Sequence, residues 1–251
     1  MFRFFTTPES ISGNLITLSE EDSKHIRSLR LRPDEQFFVC DGEGTDYICT
    51  LGKREDCSVA DIIDKQKSSG EPTITCRVFI AFTQGERLDY AVQKSVELGV
   101  NEIILFESER CVSVPRDIPK KIARLQRIAL ETAKLANRGK VPTVSSCGKF
   151  AEMVDKAVSI SDFTIFFYES EDDLHIKSVL EKQFPSDRKS EEHSTKSVSL
   201  ITGPVGGFEA HEVEYAKSKQ IPVVSLGPRI LRAETAPSVA LATIMYQTGN
   251  L

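Results

Sequence analysis

The chain has 251 residues, of which 40% are hydrophobic and 27% charged, with a formal net charge of −5. This is enough for one large or two small domains of ordinary globular composition. No apolar run approaches the roughly 18 residues of a membrane helix, and Met1-Phe-Arg-Phe-Phe5 turns polar too soon for a signal peptide, so a cytoplasmic protein without a membrane partner is expected.

Six cysteines (Cys40, Cys49, Cys57, Cys76, Cys111 and Cys147) lie far apart without a C-x-x-C pair, and the four histidines (His25, His175, His193 and His211) are scattered. Zinc sites need close pairs of ligands, so no metal is expected and the thiols are expected to be reduced.

Residues 1–68 read as mainly β. Strand-like pieces occur at Gly13–Leu18, Gln36–Cys40, Asp46–Leu51 and Val59–Ile63, separated by turn chemistry at Arg32–Asp34, Asp41–Gly44 and Gly52–Arg54. Their spacing predicts a small barrel. Ser19-Glu-Glu-Asp22 has the outline of a capping box and opens a helix to about Ser28. That helix carries His25, Arg27 and Arg30 toward the next loop. They suit an RNA-contacting patch, but arginines also suit the negative end of a helix dipole, and both readings stand. Asp64–Pro72 is polar, small and proline-ended, and is expected to be a linker.

After Pro72 the hydrophobic period changes. Strands are predicted at Ile74–Ala81 and Glu102–Phe106, with a helix Leu88–Leu98 ended by Gly99 between them. Pro119–Ala136 reads as a long amphipathic helix with an apolar stripe of Ile122, Leu125, Ile128, Ala129, Thr132, Leu135 and Ala136. Lys120, Arg124, Arg127, Glu131, Lys134 and Arg138 fall on its other side. From Arg110 to Lys140 there are nine Lys/Arg against two Asp/Glu, a local balance of +7 on an acidic chain. A basic stripe of this kind fits either a polyanion site or a solvated helix face.

Further on come a helix Phe150–Val158, a strand Phe163–Tyr168, a helix Leu174–Phe184, and a polar loop Pro185–Lys196 expected to be mobile. Strand 197–201, helix Ala210–Lys219, strand 221–225 and a last helix Val239–Tyr246 complete the chain. Strands alternating with helices predict a mainly parallel α/β sheet.

Two glycine-containing turns each follow a predicted strand: Thr202-Gly-Pro-Val-Gly-Gly-Phe208 and Leu226-Gly-Pro-Arg-Ile-Leu-Arg-Ala-Glu-Thr-Ala236. Ligands of α/β sheets gather at such strand ends. Neither turn is a P-loop or a dinucleotide fingerprint. Their glycines suit a main-chain clamp on a flat ligand, or simply tight turns.

These two turns resemble the C-terminal signature of the ribosomal RNA small subunit methyltransferase E family, within the SPOUT superfamily of knotted methyltransferases. The resemblance extends to Gln93-Lys-Ser-Val-Glu-Leu-Gly-Val100, Ser108-Glu-Arg110, Glu131-Thr-Ala133 with Arg138 and Val141-Pro142, and His25 with Leu29-Arg-Leu31, Asp41-Gly42 and Gly44. It runs through nearly the whole chain in order. The chain departs from the family at Val205, where the turn usually carries glutamate, at Leu135, where glutamine is common, and at Gln84, where a lysine often stands.

The resemblance implies an α/β protein with a PUA-like RNA-binding barrel over residues 1–68, followed over 73–251 by a SPOUT domain ending in a trefoil knot. It implies a homodimer that transfers a methyl group from S-adenosylmethionine to N3 of a uridine in small-subunit ribosomal RNA, free or in the assembled subunit. Cofactor contacts are then expected from Ile201, Thr202, Gly203, Gly206 and Gly207, and from Leu226, Gly227, Ile230, Leu231, Thr235 and Ala236. Arg232 and Arg229 are expected to hold a phosphate or a uracil oxygen, and Glu234 to act as base, to orient an arginine, or only to favour a helix N-terminus. His25, Arg27, Arg30, Arg110, Arg124 and Arg138 are the expected RNA contacts. The departures leave a second expectation, an RNA-binding homologue with impaired catalysis.

Overall fold

The computed structural model describes residues 1–52, 57–171, 174–185 and 195–251. Lys53 and Arg54 of the third predicted turn, His193, and most of the loop Pro185–Lys196 lie outside the described residues. The protein is α/β and divides into two compact units, one of Met1–Glu71 with Glu131–Val141, the other of Pro72–Leu130 with Pro142–Leu251.

The first unit holds β1 (Arg3–Phe5), β2 (Ile11–Ser12), β3 (Leu15–Thr17), α1 (Glu20–Leu29), β4 (Phe37–Cys40), β5 (Thr45–Thr50) and β6 (Val59–Lys67). The strands form one sheet in the order β1-β4-β5-β6-β3-β2, antiparallel except for the β1–β4 pair. Its core gathers Phe4, Ile16, Ile26, Phe37, Val39 and Cys49. Ser19 caps α1, its hydroxyl accepting from the Asp22 amide at 3.0 Å. The Asp22 side chain does not complete the reciprocal box: it accepts from the Ser19 hydroxyl at 2.6 Å and faces Lys134 Nζ at 3.4 Å. An aspartate is one methylene shorter than the glutamate the motif prefers.

The expected linker begins too early. β6 continues to Lys67, pairing Lys67 with Thr45 and Lys65 with Tyr47. Asp64–Lys67 are exposed. A strand segment with its side chains in water has the composition of a linker, and only the backbone ladder distinguishes the two.

The second unit holds β7 (Thr75–Ala81), α2 (Arg87–Glu97), β8 (Glu102–Glu107), most of α3 (Ile118–Leu135), β9 (Thr143–Lys149), α4 (Phe150–Ile160), β10 (Phe163–Phe167), α5 (Ile176–Gln183), β11 (Ser197–Thr202), α6 (Ala210–Ser218), β12 (Val223–Val224) and α7 (Ala236–Gln247). Its sheet is wholly parallel, in the order β12-β10-β11-β7-β8-β9. A parallel sheet is covered on both faces and its strands run continuously apolar. Phe79 and Ala81 of β7 join a core built with α4 and α6, while the alternate residues Val78 and Ile80, equally buried, point the other way. α7 packs on β7 and β11 and touches α2 and α5.

β12 is shorter than expected. Pro222 has no N–H to give to a ladder, although its carbonyl accepts from Phe166 at 3.0 Å. Beyond Val224 the outer edge pairs with 174–176 instead, the Ser225 amide donating to Leu174.

Candidate functional site

β10, β11 and β12 are parallel neighbours, so their C-terminal ends share one edge of the sheet. The chain there leaves β11 at Thr202, β12 at Val224 and β10 at Phe167, and the three following loops enclose a cleft of about 880 Å³. This is within the size of ordinary small-molecule sites. Strand order reverses direction nearby, which is where open parallel sheets form crevices.

The first wall is the turn after β11. The Gly207 amide donates to the Pro204 carbonyl at 3.0 Å, and Gly207 has φ +71°. A Cβ there would sit 2.1 Å from Glu169 Oε1. Glycine is therefore required twice, by backbone and by the carboxylate above it. Thr202 and Gly203 line the cleft, as does Val205, half exposed. Phe208 packs into the core against Phe166, with ring centroids 4.3 Å apart and the rings tilted, anchoring the far end of the turn.

The second wall is the loop before α7. Leu226, Gly227, Ile230, Leu231 and Ala236 line the cleft. The Thr235 and Ala236 amides both donate to the Arg232 carbonyl, at 2.8 and 3.0 Å, so the chain is already coiling into α7 three residues before the helix predicted from Val239. Arg229, Arg232 and Glu234 face the same space. The Glu234 carboxylate is largely buried, with Arg87 Nε at 3.8 Å and Arg232 Nη1 at 3.9 Å. The Arg232 side chain is 85% exposed, free to reach a ligand.

The third wall comes from segments that the motifs did not single out: Phe167, Tyr168, Glu169, Glu171, His175 and Ser225, with Arg87 from the start of α2. His175 Nδ1 lies 3.1 Å from Ser225 Oγ. Tyr168–Glu171 follow a strand that the sequence does reveal, so the rule that ligands sit at strand ends is the signal that finds them. Arg87 carries no such signal, because only the packing of α2 brings it here.

Three expected cofactor contacts do not line the cleft. Ile201 is fully buried in the core, Gly206 packs against Arg110, and Thr235 stands at the N-cap of α7.

A model of the RNA methyltransferase domain matches residues 70–245. The chain belongs to the RNA methyltransferase family. A model of the RNA methyltransferase PUA domain also matches residues 18–56. This RNA methyltransferase is 29% identical to ribosomal RNA small subunit methyltransferase E of Aquifex aeolicus, over 94% of this chain and 96% of that one. With its counterpart from Bacillus subtilis it shares 28% over 94% and 91%. Among solved structures it is similar to ribosomal RNA small subunit methyltransferase E from Neisseria gonorrhoeae bound to S-adenosyl methionine. That match has a TM-score of 0.80 and 29% identity, and covers 98% of this chain and 97% of the other.

The basic residues of this methyltransferase are less uniform than a stripe. His25, Arg27 and Arg30 are exposed at the end of α1, with Arg30 in the left-handed region at φ 54°. Arg124 is exposed but forks onto Asp89, which Lys121 also reaches at 3.4 Å. Arg138 is 2% exposed and is corrected as an RNA contact: its Nε and Nη2 donate to Glu71 at 2.9 and 3.0 Å. Glu71 also accepts from the Gly139 and Lys140 amides. α3 ends at Leu135 and Asn137 turns the chain at φ 54°, so helical spacing no longer governs where Arg138 points. Leu135, expected in the apolar stripe, is 85% exposed because it lies about 100° round the helix from the buried face of Leu125, Ala129 and Thr132.

Arg110 is also committed elsewhere. Its Nη2 donates to Glu209 at 2.9 Å, its Nε to the other oxygen, and its Nη1 to the Gly206 carbonyl at 3.2 Å. The hydrogen bond from Arg110 holds the Glu209 carboxyl below its ordinary range.

The six cysteines are free thiols. Burial raises Cys40, Cys49 and Cys76 to about 12, which removes the thiolate needed for nucleophilic chemistry.

Proposed function

We propose that this protein transfers a methyl group from S-adenosylmethionine to N3 of a uridine in small-subunit ribosomal RNA. The observation that carries this reading is one cleft, at the ends of three parallel strands, lined by both glycine turns and by Arg229, Arg232 and Glu234. It is supported by the family and by a relative of similar structure that is bound to S-adenosyl methionine.

The residues present suit that cofactor. The cleft is walled by Thr202–Val205, Gly207 and 226–231, and it carries Glu169 and Glu171, beside which a sulfonium cation is favoured, while Glu234 faces Arg87 and Arg232. S-adenosylmethionine supplies a methyl group already activated by a positively charged sulfur, so the protein has chiefly to align donor and acceptor. Thr202, Gly203 and Gly207 offer close backbone approach. Arg232 and Arg229 hold a phosphate or a uracil oxygen, which stabilises negative charge as N3 loses its proton. Glu234, largely withdrawn from water, takes that proton. The place where the family carries a glutamate is Val205 here, but three other carboxylates line the same cleft, so its loss does not empty the site of acceptors.

The finer architecture belongs to the same reading. Residues 1–68 are proposed to form a PUA-like RNA-binding barrel that uses His25, Arg27 and Arg30, followed by a SPOUT-type domain over 73–251, where Arg124 is committed to Asp89. The segment before α7 is proposed to thread a trefoil knot, and two chains to form a homodimer in the cytoplasm.

Nucleoside mass spectrometry of small-subunit ribosomal RNA, from cells with and without the gene, tests the reading. Loss of 3-methyluridine on deletion is expected, and an unchanged peak would overturn it.

A further inference from the structure

The turn after β8 is fastened to the turn after β11 by a set of side-chain bonds. The Ser108 hydroxyl donates to both oxygens of Glu212, at 3.0 and 3.1 Å, and the Glu109 amide donates to one of them at 3.1 Å. Glu212 is 2% exposed and also accepts from the Glu209 amide at 2.9 Å, which starts α6. His211 Nε2 lies 2.9 Å from Glu109. Above these, Arg110 forks onto Glu209 and reaches the Gly206 carbonyl. A Cβ on Gly206 would lie 3.1 Å from the Arg110 Cβ and 3.2 Å from its carbonyl oxygen, so the two turns touch at backbone level.

Arg110 itself does not line the cleft, but the residues on either side of its Gly206 contact, Val205 and Gly207, do. We infer that Arg110 is a positioning residue for the cofactor wall, holding the 203–209 turn in its binding shape through Glu209 and the Gly206 carbonyl, and that it is not a phosphate contact. The inference rests on the proposed use of the cleft for S-adenosylmethionine. Division of labour within the fastening supports it. Buried Glu212 secures the start of α6, whereas the exposed fork of Arg110 reaches back to the glycines that approach the ligand. An arginine whose guanidinium is held on two sides by its own protein has little left to offer a phosphate.

The test compares the full chain with Arg110→Ala, Arg110→Lys, Glu209→Ala and the Arg110→Ala/Glu209→Ala double variant. Calorimetry with S-adenosylhomocysteine should show about three- to fivefold weaker binding for each alanine variant, the scale of an exposed ion pair. The double variant should be no weaker than the worse single one, because both remove the same contact. Arg110→Lys keeps the charge but not the fork, and should recover less than half of the loss. Hydrogen exchange without ligand should be faster at the amides of 206–209 in Arg110→Ala, with a thermal midpoint close to that of the parent. Unchanged cofactor affinity and unchanged exchange in Arg110→Ala would overturn the inference. So would a lower salt dependence of RNA binding with cofactor affinity intact, which marks a phosphate contact. If the parent chain itself fails to bind S-adenosylhomocysteine, the cofactor reading fails, and the exchange measurement alone still decides whether Arg110 holds the turn.

Discussion

Glu234 and Arg87 meet across the cleft, with a carboxylate oxygen 3.8 Å from the arginine Nε, although 147 residues separate them in the chain. The other carboxylate oxygen faces Arg232 at 3.9 Å. Glu234 is thus held between one arginine from α2 and another from its own loop. If its role is proton removal, Glu234→Gln should lower kcat by about a hundredfold or more, the usual scale of a positioned base. If it only favoured the start of α7, the change would appear as a small loss of stability with kcat intact. Single-turnover methyl transfer, with urea unfolding in parallel, separates the two.

Arg87 should act through Glu234. Arg87→Gln is expected to reduce kcat by about five- to tenfold, somewhat beyond a surface pair because Glu234 is largely buried. The affinity for S-adenosylhomocysteine should stay within about twofold, and Arg87→Lys should restore most of the rate. A weakened cofactor affinity at unchanged kcat would assign Arg87 to the pocket wall instead.

Gly207→Ala brings two costs together. Its φ of +71° disfavours any side chain, by about 1–2 kcal/mol for the left-handed region, and the new methyl would displace the Glu169 carboxylate. Gly13 has a comparable φ of +58° with nothing within 4 Å of a Cβ, and is the control for backbone strain alone. Both alanine variants should lose stability in urea, Gly207→Ala more than Gly13→Ala because of the clash with Glu169, and only Gly207→Ala should weaken S-adenosylhomocysteine binding. In a Glu169→Ala background the extra loss from Gly207→Ala should shrink, because the clash has gone.

Much of the second unit was legible because buried parallel strands are continuous apolar runs and the helices between them keep a 3.6 period. β1 was not: three residues, Arg3–Phe5, are too few for any period, and they become a strand only by pairing with Phe38–Cys40. β9, Thr143–Lys149, escaped because its sequence is mostly small and polar, as suits the edge of the sheet. At the site, Gly207, Arg232 and Glu234 stood out because glycine and charge between two apolar runs need a reason. Arg87 and Glu169 look like any surface charge until the fold sets them beside the same cleft. Arg138 shows the reverse, a charge assigned to solvent by helical spacing that the turn at Asn137 carries inside.

The proposed RNA contacts can be separated by salt dependence. Arg27 is exposed and donates only to its own helix, Nε to the Ser23 carbonyl at 3.3 Å, among the hydrogen bonds described. Arg27→Ala should weaken RNA binding evenly across sequences and reduce the slope of log K against log salt by about one phosphate contact. Arg138→Ala should leave that slope unchanged and lower stability instead, since it strands the Glu71 carboxylate. Filter binding at several salt concentrations, beside urea titration, reads both. A reduced slope in Arg138→Ala would restore it to the RNA surface.

Asp46 gives the first unit an acid-sensitive buried pair with Arg3. It lies 1% exposed and accepts from Arg3 Nη1 and Nη2 at 2.6 and 2.8 Å, from Ser68 at 2.5 Å, and from the Cys40 thiol. Burial alone would raise its carboxyl, but the hydrogen bonds from Arg3, Cys40 and Ser68 outweigh burial and hold it below the ordinary range. A carboxyl depressed in the folded state contributes stability that is complete above its unfolded pKa of about 3.9 and is lost as pH falls through the lower folded value. Between pH 7 and 5 the parent should therefore show no loss from this group, with the decline setting in below about pH 4. Asp46→Asn leaves Arg3 buried without its counter-charge and should cost about 3–5 kcal/mol at pH 7. Because the variant cannot titrate at this position, its deficit should narrow as the acid limit is approached. A deficit in urea that stays constant from pH 7 to pH 3 would show that the Arg3–Asp46 pair is not what acid breaks.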